Sequence, residues 1–68
     1  MTDLEAQQAT TKALSIRAKA RKALDAGTID HDQYGKVADL VHRAVNALSH
    51  RDGYRAHALL EDARLAAL

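Results

Sequence analysis

Residues 29–48 read IDHDQYGKVADLVHRAVNAL, and the fold follows from how they are spaced. Tyr34, Val37, Val41, Val45 and Leu48 recur at steps of three and four, with Ala38 and Ala44 filling the same stripe. That period lines one face of an α-helix, because 3.6 residues complete a turn. Lys36, Asp39, His42, Arg43 and Asn46 fall on the opposite face. Asp30 is placed to cap the free N–H groups of the first turn, and Gln33 three residues later completes a variant of the capping box. Ile29 before the cap and Tyr34 at the fourth helical position have the spacing of a hydrophobic staple. The stretch predicts an amphipathic helix over 31–49 and carries no catalytic signature.

On the N-terminal side, Thr2-Asp3-Leu4-Glu5 is a capping box of the T-x-x-E form. Nothing from Leu4 to Ala26 interrupts a helix: there is no Pro or Gly, and Ala, Leu, Lys, Arg and Gln dominate. A helix over 3–26 is predicted, with Gly27 as its left-handed stop. Ala6, Ala9, Ala13, Ile16, Ala20 and Ala23 form a heptad-spaced seam of small residues against which another helix can approach closely. Leu14 lies off that seam. On the C-terminal side, Ser49-His50-Arg51-Asp52-Gly53 is a polar break, and Asp52 is placed to cap a third helix over 53–67. Its main face is Ala56, Leu59, Leu60, Ala63, Ala66 and Ala67. Tyr54, Ala58 and Leu65 make a second stripe on nearly the opposite side. A helix apolar on both sides belongs between two layers, and a three-helix monomer offers only one.

The fold class is therefore all-α: one domain over 1–68, a small antiparallel three-helix bundle expected to self-associate. Two local patterns carry resemblances. Leu24-x-x-Gly27-x-Ile29 running into Tyr34 resembles the turn of short bacterial helical-hairpin (SHOCT-type) domains. The wider pattern of Gly27-x-Ile29, Leu40-Val41, Ala47-Leu48, Asp52-x-Tyr54 and Ala58-Leu59 is similar to the helical repeat of the SRA-type C-terminal bundle, although the second helix here is about one turn longer. Each covers less than two thirds of the chain, and neither brings a function with it.

Bulk composition narrows the function classes. Of 68 residues, 15 are alanine and only 14 are Leu, Ile or Val, with no Phe or Trp, so the core is thin. There is no cysteine, hence no disulfide or thiolate zinc site. No apolar run approaches a membrane span and no signal-peptide pattern opens the chain, so a soluble, cytoplasmic protein without membrane contact is expected. Four histidines raise a metal question, yet no two share helical ligand spacing; only the acid–histidine pairs Asp39/His42 and His57/Glu61 do, and both project from polar faces. No metal or cofactor is expected. His31 between Asp30 and Asp32 has no nucleophile beside it, and there is no phosphate-binding Gly-rich loop, so an enzyme is not expected.

Lys12, Arg17, Lys19, Arg21 and Lys22 place five positive charges in eleven residues with no acid among them. Lys12, Lys19 and Lys22 line one flank of the alanine seam, and Arg17 and Arg21 fall towards the other. The sequence is thus expected to encode a non-enzymatic interaction module, an adaptor, inhibitor or accessory subunit, that docks helices with itself or a partner protein through Leu14, Tyr54, Ala58 and Leu65. The alternative is a small nucleic-acid-binding regulator using the basic end of the first helix.

Overall fold

The computed structural model describes residues 2–68 and contains three helices: α1 (Asp3–Asp25), α2 (His31–Ser49) and α3 (Gly53–Ala66). All three N-termini are capped as their sequences dictate. The Glu5 N–H donates to Thr2 Oγ1 at 3.1 Å, the Gln33 N–H to Asp30 Oδ1 at 2.8 Å, and the Arg55 N–H to Asp52 Oδ1 at 3.1 Å. Each satisfies one of the orphan donors of a first turn. α1 and α3 each end one residue short of the predicted limit, at caps Ala26 and Ala67.

Two ties fix the topology. Arg51 Nη1, just before α3, reaches Asp3 Oδ1 at 2.9 Å, so the start of α1 lies beside the α2–α3 turn. Gln33 Nε2, in the first turn of α2, donates to the Ala66 carbonyl at 2.9 Å, so α3 ends beside the start of α2. The chain therefore runs up, down and up. Its 38 × 16 × 15 Å extents are set by α1, whose 23 residues span about 34 Å at 1.5 Å each. Gln33 also corrects the capping-box reading. Its backbone is capped by Asp30, but its side chain satisfies a C-terminal carbonyl of α3 instead of folding back on its own helix.

Both turns close by the same hydrogen-bond pattern. After α1, Gly27 N–H bonds Leu24 O at 3.1 Å and Thr28 N–H bonds Ala23 O at 2.9 Å, with Gly27 at φ +79°. After α2, Arg51 N–H bonds Leu48 O at 3.0 Å and Asp52 N–H bonds Ala47 O at 2.9 Å, with Arg51 at φ +60°. These are Schellman motifs, which need a left-handed residue one place beyond the cap. The first has the glycine that suits it. The second has an arginine there, while the nearby Gly53 serves as the first residue of α3.

The buried core is Ala9, Ala13, Ile16 and Ala20 of α1, Ile29 of the first turn, Val37, Val41, Ala44, Ala47 and Leu48 of α2, and Ala56, Leu60 and Ala63 of α3. Seven of these thirteen residues are alanine, so the alanine seam is consumed by the protein's own packing. The α2 stripe is rotated from its expected position. Val45 is 38% exposed, and Ala47 and the half-buried Leu40 face the core in its place. The cause is two-sided packing: α2 lies against both α1 and α3, so its buried arc is wider than one stripe.

Candidate docking surface

α3 is buried through Ala56, Leu60 and Ala63, and at 100° per residue the opposite direction points through Tyr54, Ala58 and Leu65. Tyr54 is 91% exposed, Leu65 51%, and Ala58 is exposed as well. The second stripe seen in the sequence thus stands on the solvent side, with none of the described residues covering it. Leu14 is 55% exposed, but it lies elsewhere, in a groove between α1 and α2 shared with Arg17, Ala18, Arg21 and Tyr34. The four apolar candidates form two surfaces: one on α3 and one around Leu14.

The basic residues divide in the same way. Lys12 and Lys19 line an open groove of about 690 Å³ between α1 and α3, floored by Ile16, Ala20 and Ala67. Arg17 and Arg21 line the Leu14 groove on the other side of α1. Lys22 is exposed near the end of the helix. Arg21 Nε lies 3.4 Å from Asp25 Oδ1, so part of the cluster's charge is offset within its own helix. The cluster is two flanks about an apolar seam, not one continuous patch.

The acids that histidines would need as co-ligands are held by arginines. Asp39 Oδ2 pairs with Arg43 Nε at 3.0 Å. Both Glu61 carboxylate oxygens accept from Arg64, one of them from Nε at 3.2 Å. That hydrogen-bonded pairing, with the nearby charges of Arg64 and Lys12, holds the Glu61 carboxyl below its ordinary value, and it raises the Arg64 guanidinium. Among the described residues no three His, Asp or Glu side chains gather as a metal set, and no helix is long and apolar enough to cross a membrane.

Arg55 and Arg64, which also flank the α3 stripe, are not among the residues that the sequence singles out. Arg55 lies on the side towards α2, in a shallow groove with Arg43, Asn46 and His50. Arg64 lies on the side towards α1. Their signal was present in their positions: α3 has no acid in its first turn, where the helix dipole favours one, and carries Arg55 there instead. No family model, curated protein or solved structure matches this chain.

Proposed function

We propose that this protein is a small non-enzymatic interaction module, an adaptor, inhibitor or accessory subunit of the cytoplasm, that acts by docking the outer face of α3 against itself or a partner protein. One observation carries the reading: α3 is apolar on both sides, with Leu60 fully buried on one and Tyr54 at 91% exposure on the other. A core more than half alanine leaves the monomer little margin, and burial of a second apolar face adds to it. Light scattering across a concentration series tests this, together with the melting temperature, which rises with concentration when folding and association are coupled. Leu65→Lys should lower the mass while leaving α3 helical, because Lys and Leu have similar helix propensity and an unpaired ammonium opposes burial. A wild-type monomer whose melting temperature ignores concentration removes self-docking, and Leu65 is then an ordinary exposed leucine.

A second reading, nucleic-acid binding, is supported by Lys12, Arg17, Lys19 and Lys22, which are exposed and make no ion pair among the described residues. Binding to phosphates weakens steeply with salt, whereas apolar helix docking barely responds. Retention of the protein on DNA or RNA at low salt, lost at moderate salt and abolished when Arg17, Lys19, Arg21 and Lys22 are all changed to Gln, supports it. No retention at low salt ends it.

A further inference from the structure

We infer that the occupant of the α3 outer face is the α3 of a second copy of this chain, packed antiparallel across a twofold axis near Ala58. The inference rests on the docking reading and adds the partner, its direction and its register. When two helices pair antiparallel about a perpendicular twofold, the same flank of each meets its counterpart, and residues equally far either side of the axis face each other. On the α2-side flank of the stripe stand Arg55 and Asp62, and on the α1-side flank stand His57 and Glu61, by helical rotation from the buried direction. Pairing Arg55 with Asp62 of the second copy puts the axis between residues 58 and 59. Glu61 is already bonded to Arg64 of its own helix, and bringing His57 of the second copy beside it puts the axis at about the same place. Tyr54 over Leu65 of the second copy requires an axis between 59 and 60, within one residue of the others. The three axes, drawn from three lines along the helix, agree to within one residue.

A parallel pair does not have this property. It would bring opposite flanks together, setting Asp62 against Glu61 and leaving Arg55 with no acid opposite, and would align the two helix dipoles. Arg55 also opposes its own helix, standing in the first turn where the dipole favours an acid. In the antiparallel pair it meets an opposite charge in trans. Fourteen residues span only about 21 Å, so the interface falls below the standard size of roughly 800 Å² per partner, and association is in the micromolar range or weaker.

The absence of native cysteine makes the geometry testable by cross-linking the full chain. Ala58→Cys places a thiol within about 5 Å, along the helix axis, of its symmetry mate, whereas Tyr54→Cys places the pair about 16 Å apart. Ser15→Cys, exposed on α1, reports random collision. With copper–phenanthroline oxidation at concentrations where light scattering shows the dimer, Cys at 58 should link at least tenfold faster than Cys at 54 or 15. Equal rates at 58 and 54 mean a parallel pair and overturn the inference. A dimer by scattering with no linkage at 58 above the control overturns it too, while leaving docking by another surface intact. A monomer throughout overturns it together with self-docking. Arg55→Asp improves agreement with the dipole, and Asp62→Arg brings in a better helix former, so helicity should hold or rise. Each should nevertheless weaken the dimer by on the order of tenfold, through two symmetric like-charge contacts. The double variant should return to within about threefold of wild type; failure to do so excludes the Arg55–Asp62 pairing.

Discussion

Replacing Gly27 by Ala isolates the energy of one backbone dihedral. Gly27 sits at φ +79°, and a Cβ added there meets no heavy atom within 4 Å. No packing is disturbed, so the cost is the left-handed conformation itself, about 1–2 kcal/mol for an L-residue with a side chain. Against this, alanine stiffens the unfolded chain and returns about 0.4–1 kcal/mol. The net loss is therefore about 1 kcal/mol, which lowers the melting temperature of so small a domain by about 4–8 °C. Gly27→Val should lose more, because β-branching further opposes positive φ. The assay is urea unfolding followed by circular dichroism at 222 nm, at one fixed protein concentration because self-association would shift the midpoint. The slope of the transition should stay constant while its midpoint falls. An unchanged midpoint in the alanine variant would refute the argument, since residue 27 would then not be held at positive φ. A loss above about 3 kcal/mol would refute it in the other direction, by showing contacts that the open space around Gly27 excludes.

Arg51→Gly is the converse experiment: it relieves the same strain at φ +60°, gives up glycine's unfolded-state entropy and the exposed Asp3 pair, and should stabilise the protein by about 0.5 kcal/mol. A lower melting temperature would show that the Arg51–Asp3 contact outweighs the dihedral. Gln33→Ala removes the donor to the Ala66 carbonyl and should cost about 1 kcal/mol, with faster amide exchange confined to the last turn of α3. Uniform exchange throughout the helix would mean that the tie does not hold that end. Because the Glu61 carboxyl titrates below its ordinary 4.5 in the folded chain, its contribution is present at neutral pH and is lost as the pH falls below 4.5 through the folded value. Glu61→Gln should therefore lose a little stability at pH 7, small because the pair is exposed, and none well below pH 4.5, so that the acid limb flattens slightly; an equal loss at both pH values contradicts this.

The helices and their starts were legible because their signals are local. Thr2, Asp30 and Asp52 each act within three residues of themselves, and Gly27 is the residue that a left-handed cap selects. What the sequence obscured depends on partners distant in the chain. The rotation of the α2 stripe, which exposes Val45 and buries Ala47, follows from packing against two neighbours at once. The Gln33 side chain had a local role available, yet its partner lies 33 residues away. Arg51 hid the second left-handed turn because a charged residue there carries no conformational signature. For the candidate surface, the apolar stripe of α3 was visible as periodicity. The separation of Leu14 from it was not, since that depends on which side of α1 receives α2.

An up-down-up path has an odd number of passes, and this has a consequence for anything attached to the chain. Thr2 lies at the pole marked by the Asp3–Arg51 contact, while Leu68 lies with Lys19 and Ala20 towards the far pole, roughly 25 Å away along α1. Joining the two ends in a circular permutant would take a linker of about eight extended residues, and a shorter one would pull α3 off its register against α2. Labels placed at the two ends report on opposite poles of one rod. In the antiparallel pair proposed for α3 the second rod is reversed, so each pole of the assembly carries the front of one copy and the back of the other. Energy transfer between one copy's N-terminal label and the other's C-terminal label would then be more efficient than between two N-terminal labels, which distinguishes the arrangement without any substitution in the helices.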